Sequence, residues 1–274
     1  MNDVYAMLIG FASGIHTSTW GMYKDAPHEG FTWPKYLRST VIGVLVALVL
    51  NRVLQLDLTM APNVAVFFGA TYVGERALLE FWKTFLRVED QSKYFIPMQF
   101  AVLGKVVENR AIQLFVAAAY AATCIFIGYS IWRFQQAEPN LSPLLVVATI
   151  GAAGGWISAF GGAWKDAPKE GFEILKFFRS PLLAAAWAYL LAHFTGNYLL
   201  IAACALGYTI ATTETYKTFF FPSKQRGKFA GMPISHPEWM ARRYYFVPLY
   251  VAVWVGVIVT FVVAFNGPHH GLLG

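Results

Sequence analysis

The chain has 274 residues, of which 57% are hydrophobic and only 13% are charged. Soluble domains carry about 25% charged residues, so this composition argues against the alternative of a soluble all-α protein with buried core helices. The net charge of +6 would suggest nucleic-acid binding in a soluble domain, but the basic loops of membrane proteins explain it here. We therefore expect a protein that contacts the lipid bilayer and no nucleic acid.

Apolar segments of about 20 residues, each long enough to cross a hydrocarbon core about 30 Å thick, follow one another along the chain. They predict an all-α, polytopic membrane protein with about eight transmembrane helices. The amino terminus lacks the basic region of a signal peptide, so we expect the first span to remain in the mature protein. The predicted spans are residues 4–22, 37–56, 61–82, 111–132, 143–163, 180–197, 198–219 and 244–266.

The sequence also predicts the structure of two segments that lie between the spans. Residues 94–108 are too short and too charged to cross the membrane, and they predict an interfacial helix. Residues 222–243 contain three prolines and predict an irregular loop, because proline interrupts regular structure.

One short motif occurs twice in the chain. Residues 24–31 read KDAPHEGF, and residues 165–172, which lie 141 positions later, read KDAPKEGF. Around this motif, 15 of the 31 positions in 9–39 are identical to those in 150–180. Agreement of this extent indicates an internal duplication.

Each half of the chain contains four predicted spans, so both halves enter the membrane in the same direction. We therefore predict two parallel four-helix repeats, residues 1–140 and 141–274, related by a pseudo-twofold axis along the membrane normal. The third spans of the two halves also align, with Glu80 matching Glu214.

The basic residues predict the orientation in the membrane. Together with Arg38, the segments 23–36, 83–110, 164–179 and 217–243 contain 18 of the 21 lysines and arginines. Because basic loops face the cytoplasm or the matrix, we expect both termini on the opposite, non-cytoplasmic side or its organellar equivalent. Anionic lipid headgroups at the inner face are the expected partners of these loops.

The repeated motif has two interpretations. In the first, Pro27 and Pro168 end a helix and Gly30 and Gly171 permit a tight bend, which gives a turn held by ion pairs. In the second, the carboxylates of the motif converge to bind a divalent cation or a cationic substrate, although no spacing matches a known metal motif. The repeated inner-side residues are Lys24, Asp25, Glu29, Lys35, Arg38, Lys165, Asp166, Glu170, Lys176, Arg179, Glu214 and Lys217.

Small residues form a stripe on the first span of each half. Gly10 and Gly14 are four residues apart, as are Gly151 and Gly155. Such faces let helix backbones approach closely, so we expect them to pack the first spans against each other or against other membrane subunits. The two cysteines lie inside apolar runs and indicate neither a disulfide nor a metal site, and we predict no cofactor.

Three ionisable residues inside spans of the first half, His16, Glu75 and Arg76, have no ionisable counterpart in the second half. Each lies about 10 Å from the positive-side end of its helix, a depth at which such groups face protein or water. One interpretation is a structural ion pair, since Arg76 and Glu80 have i,i+4 spacing, with His16 hydrogen-bonded across helices. The other is a polar functional site of all four residues, suited to proton coupling or to recognition of a polar group.

Three functions are compatible with these patterns. The first is a small transporter or channel with a polar site in the inner half of the first repeat. The second is a non-catalytic accessory or structural subunit of a larger membrane complex. The third is an enzyme acting on lipid headgroups, with Asp25, Glu29 and Glu80 as metal ligands or acid–base groups. Because no catalytic constellation is recognisable, we predict no catalytic residues and rank the enzyme last.

Overall fold

The computed structural model describes residues 1–221 and 227–274 and is almost entirely helical, which confirms the all-α prediction. Its helices are α1 (Asn2–Glu29), α2 (Trp33–Leu54), α3 (Ala61–Phe81), α4 (Arg110–Gln136), α5 (Pro143–Glu170), α6 (Ile174–Leu191), α7 (Tyr198–Phe219), the short α8 (Trp239–Arg242) and α9 (Val247–Asn266).

Five helical segments of the described chain are long and apolar enough to cross a membrane. They are α2, α4, α5, α6 and the segment Trp239–Asn266, which includes α9. The more polar helices α1, α3 and α7 are the most deeply buried ones, where neighbouring helices rather than lipid contact their polar groups. Membrane insertion is therefore indicated, while the count of eight spans stays a prediction.

Helices α3 and α7 are in direct backbone contact at the centre of the bundle. A Cβ atom at Gly207 would lie 2.3 Å from the carbonyl oxygen of Gly69. One turn away, the Tyr208 hydroxyl donates a hydrogen bond of 2.8 Å to the carbonyl oxygen of Ala65. The contact depends on the absence of side chains at both glycines.

The glycine stripes of α1 and α5 pack against the following helix of the same half. A Cβ atom at Gly14 would lie 2.4 Å from the Cα atom of Thr40 in α2, and one at Gly155 would lie 2.5 Å from the Cα atom of Pro181 in α6. The expectation that these glycines pack α1 against α5 is therefore wrong. Close helix pairing within each half already occupies these faces.

The repeated motif forms the last turns of α1 and α5. Both helices continue through Pro27 and Pro168, so the expectation that these prolines end the helices is wrong. The helices end instead at Gly30 and Gly171, whose φ angles of 72° and 83° lie in the left-handed region that favours glycine.

An arginine from a distant part of the chain compensates for Pro27 in α1. Proline has no N–H group, so the carbonyl oxygen of Tyr23, four residues earlier, loses its partner within the helix. The Nη1 atom of Arg243 donates a hydrogen bond of 3.1 Å to this oxygen. Tertiary contact thus allows a helix where the local sequence predicts its end.

The segment 94–108 is not an interfacial helix, as was expected. It contains a short antiparallel hairpin of β1 (Ala101–Val102) and β2 (Lys105–Val106). Pro97 and Gly104 are the poorest helix formers in the segment and explain the difference. Within 222–243, residues 222–226 lie outside the described residues, and the chain from residue 227 has one short helical turn before α8.

Candidate functional site

A cluster of buried polar side chains lies between α1, α3 and α9. His16 is 1% exposed, Glu75 is 0% exposed and Arg76 is 4% exposed. All three were selected from the sequence by their position in apolar segments. Their burial inside the protein means that their partners are other side chains and not bulk water.

His16 contacts the rings of Tyr72, Tyr250 and Trp254. Its Nδ1 atom lies 3.0 Å from the hydroxyl oxygen of Tyr72, which also accepts a hydrogen bond of 3.0 Å from the Trp20 indole nitrogen. The imidazole ring stacks on Tyr250 at a centroid distance of 4.1 Å. Because a tyrosine hydroxyl has one hydrogen to donate, this arrangement favours donation to Nδ1 and places the imidazole hydrogen on Nε2.

Two members of the cluster are unsatisfied within the described part of the chain. The Nε2 atom of His16 and both carboxylate oxygens of Glu75 are buried and have no hydrogen-bond partner there. The nearest cation to Glu75 is Arg76, with 3.9 Å between Oε2 and Nη1. Burying polar atoms without hydrogen bonds costs several kcal/mol. The Glu75 oxygens are therefore suited to accept a proton or a hydrogen bond, and the Nε2–H group of His16 is suited to donate a hydrogen bond to a water molecule or a small polar ligand.

Arg76 connects the buried cluster to the end of α3. Its guanidinium group pairs with Glu80, whose Oε1 atom also lies 3.2 Å from the Lys83 ammonium nitrogen. The Arg76 guanidinium also lies 5.1 Å from the centre of the Trp20 ring, within the range of a cation–π contact. The structure therefore contains the Arg76–Glu80 pair that the i,i+4 spacing predicts.

A second ion pair joins the two halves of the chain. The Lys24 ammonium nitrogen in α1 lies 2.5 Å from Oε2 of Glu214 in α7, and Lys217 lies 3.6 Å from the other oxygen. Lys24 also lies 4.3 Å from the centre of the Trp20 ring, so this indole contacts two cations. The sequence did not single out Trp20, although its i,i+4 spacing from His16 places both on one face of α1.

The first copy of the motif is held by residues from three other segments. Asp25 pairs with Lys228 at 2.8 Å. Glu29 lies 3.4 Å from Lys35 and 3.8 Å from Lys228, and it accepts a hydrogen bond of 3.0 Å from the Tyr94 hydroxyl. These carboxylates are therefore neutralised by cations of the chain itself.

The second copy is held mainly by one lysine. The Lys176 ammonium nitrogen lies 3.3 Å from Asp166 and 2.7 Å from Glu170. Lys165 points instead to the sulfur of Met98, at 3.5 Å. Both copies therefore contact the segment that follows α3, and we call residues 87–106 the inter-motif segment and this end of the bundle the motif side.

The protonation of Glu29 is expected to make stability depend on pH. Glu29 lies outside the predicted span 4–22; burial alone would raise its pKa, but Lys228 and Lys35 outweigh burial and hold the pKa below its ordinary value. A lowered folded-state pKa gives stability that is present above the unfolded pKa of about 4.3 and is lost as pH falls through the folded value. The unfolding temperature in detergent should therefore fall as the pH is lowered, and it should fall less in Glu29→Gln than in the unchanged protein.

Exposed Glu108, which has no ion pair among the described residues, provides the matched control for this experiment. Glu108→Gln should retain the full acid decrease in the unfolding temperature. If acid lowers the unfolding temperature equally in Glu29→Gln and in the unchanged protein, the pH dependence of stability does not come from Glu29.

Arg38 and Arg179 each lie beside an aromatic ring. Arg38 lies 5.5 Å from the ring centre of Trp82, and Arg179 lies 5.9 Å from that of Tyr216. Neither arginine forms an ion pair with a carboxylate of the described residues. Together with Lys165, they are the members of the repeated set that form no ion pair among the described residues.

In residues 1–221 and 227–274, no group of three or more His, Cys, Asp or Glu side chains is placed to hold a metal ion. The site is thus a buried, partly unsatisfied polar cluster connected to an ion-pair network at the motif side. No family model, curated protein or solved structure matches this chain, so the chemistry of the site is inferred from its own geometry.

Proposed function

We propose that the protein is a small membrane transporter or channel that passes protons through the polar cluster of the first half. One observation carries the proposal: His16 Nε2 and both Glu75 oxygens are fully buried and lack hydrogen-bond partners among the described residues. A directly hydrogen-bonded ion pair would satisfy the Glu75 oxygens, whereas at 3.9 Å from Arg76 they are available to take up and release a proton.

The neighbouring residues provide a route to the motif side. The Glu80 side chain is 46% exposed and is bonded to Arg76, which is next to Glu75. Because the Arg76 guanidinium does not release its proton, a proton entering at Glu80 would reach Glu75 through water beside the guanidinium. Tyr72, one turn further along α3, is hydrogen-bonded to His16 and extends the polar route away from the motif side.

The proposal includes eight spans arranged as two parallel repeats, residues 1–140 and 141–274, with the motif side facing the cytoplasm or the matrix and both termini on the other side. Three features support it. Helices α1 and α5 each have 28 residues and end at a glycine with positive φ. Helices α3 and α7 pack against each other, and the basic residues cluster at the motif side.

Proton flux into proteoliposomes tests this function directly. The unchanged protein, reconstituted under a potassium diffusion potential, should acidify the vesicle interior faster than protein-free vesicles do. Glu75→Gln should reduce this rate by at least about tenfold because it removes the group that carries the proton. His16→Gln should also reduce it, because it removes the imidazole that is hydrogen-bonded to Tyr72 in the polar cluster.

Glu108→Gln serves as the control because it removes an exposed carboxylate far from the cluster in sequence. It should leave the flux unchanged. Rates in Glu75→Gln equal to those of the unchanged protein, with the variant shown to be folded, would exclude the polar cluster as the proton route.

A second candidate, a non-catalytic subunit of a larger membrane complex, is favoured by helix α4. Only Gln113 and Ala117 of its 27 residues are buried, so nearly the whole helix faces lipid or a partner. Cys124 on this helix is exposed and provides a labelling site. Protection of Cys124 from an apolar maleimide in native membranes, but not after purification, would support a partner subunit at α4.

A further inference from the structure

We propose that the motif side carries two equivalent sites for the phosphate group of an anionic phospholipid. One lies between α2 and α3 at Arg38 and Trp82, and the other lies between α6 and α7 at Arg179 and Tyr216. This inference does not depend on proton transport, because it rests on the contacts of the arginines with aromatic rings and on their Nε atoms.

The first site has two guanidinium groups around one indole. Arg38 and Arg87 each lie 5.5 Å from the centre of the Trp82 ring. The Nε atoms of both arginines are buried and have no hydrogen-bond partner among the described residues. Two like charges that converge with unused donors form a site for an anion with several oxygens, and phosphate accepts such bonds in pairs from guanidinium groups.

The second site repeats this geometry. The Arg179 guanidinium lies 5.9 Å from the ring of Tyr216, and the Arg179 Nε atom also lacks a partner among the described residues. Arg179 corresponds to Arg38 at the offset of 141 residues, and Tyr216 corresponds to Trp82 at the offset that aligns Glu80 with Glu214. The arginine and the aromatic residue come from two parts of the sequence that align at different offsets. They nevertheless form the same type of contact in both halves.

The surroundings of the arginines favour a lipid over soluble phosphate. The faces beside both sites are apolar and exposed, which suits acyl chains rather than water. Tryptophan and tyrosine are also the residues that prefer the headgroup level of a bilayer. The exposed apolar residues within four sequence positions of the site residues are Leu37, Val41, Leu78 and Leu86 at the first site and Phe178, Leu182 and Phe220 at the second.

The two sites should differ in affinity. Arg87 adds a second guanidinium at the first site, and it retains an unused Nε atom although its Nη1 atom is 2.6 Å from Glu89. The described part of the second site contains one arginine at the ring. The first site is therefore the tighter of the two.

Native mass spectrometry of the protein in mild detergent tests the sites with defined lipids. Titration with dioleoylphosphatidylglycerol should give two retained lipids, whereas dioleoylphosphatidylcholine should bind more weakly, because its choline cation is repelled by the arginines of the sites. Arg38→Gln should weaken the tighter binding step by about tenfold, as expected for loss of a charged hydrogen-bonding group. The double variant Arg38→Gln, Arg179→Gln should bind both lipids equally weakly.

Arg133→Gln, which removes an exposed arginine at the other end of the bundle, is the matched control and should retain two phosphatidylglycerol molecules. Arg38→Lys is the second variant, in case folding requires a positive charge at this position. It keeps the charge but loses the paired hydrogen bonds, so it should also weaken the tighter binding step. Unchanged affinity in Arg38→Lys, equal binding of the two lipids by the unchanged protein, or displacement of phosphatidylglycerol by excess inorganic phosphate would each overturn the lipid assignment.

Discussion

Replacement of Gly207 by alanine is expected to lower the unfolding temperature of the protein substantially. The added methyl group would lie 2.3 Å from the carbonyl oxygen of Gly69, so the backbones of α3 and α7 would have to separate. Overpacking in a close-packed interior costs about 1–3 kcal/mol, and here the obstacle is backbone rather than a flexible side chain. Thermal unfolding in a fixed detergent, followed by circular dichroism, measures the effect.

Gly161→Ala is the control for this substitution. A Cβ atom at Gly161 meets no atom within 4 Å, so the same added methyl group should leave stability unchanged or raise it slightly through the higher helix propensity of alanine. Equal unfolding temperatures for Gly207→Ala and Gly161→Ala would exclude the close backbone contact between α3 and α7 at Gly207.

The second large effect is expected for Arg76→Met. This variant leaves Glu75 buried without its nearest cation and removes one of the two cations that bind Glu80. Removal of one partner from a buried ion pair costs about 3–5 kcal/mol, because the remaining charge stays uncompensated. This loss should be measured as a lower free energy of unfolding, and therefore as a lower denaturant concentration at the midpoint of unfolding.

Two further variants identify the cause of the loss. Glu75→Gln combined with Arg76→Met should recover part of the stability, since no carboxylate then remains at position 75. Arg52→Ala breaks a 2.7 Å pair with Asp3 whose side chains are 74% and 43% exposed, and it should cost less than about 1 kcal/mol. A similar cost for Arg52→Ala and Arg76→Met would contradict the burial of Arg76.

The helix boundaries could be predicted best where local signals mark them. The predicted span 61–82 is α3 (Ala61–Phe81), which begins with Pro62 in its first turn. The predicted span 198–219 is α7 (Tyr198–Phe219), where the Asn197 side chain accepts a hydrogen bond from the Leu200 N–H group. The end of α1 could not be predicted, because Arg243 compensates for Pro27 from 216 positions away in the sequence.

The candidate site could be predicted in part. His16 and Glu75 are conspicuous in the sequence because ionisable residues are rare in apolar segments. Their aromatic partners Tyr72 and Tyr250 are not, since aromatic residues make up 17% of the chain and only the tertiary structure selects among them. The hairpin of the inter-motif segment was missed because strands of two residues have no detectable alternation.

The inter-motif segment has a consequence for how the two halves can move. It contacts the first half through the bond from Tyr94 to Glu29 and the second half through the 2.9 Å bond from the Trp164 indole nitrogen to the carbonyl oxygen of Ala101. Separation of the halves at the motif side would have to break at least one of these two bonds. We therefore expect any rocking motion of the halves to pivot at the motif side and to widen the bundle at its opposite end.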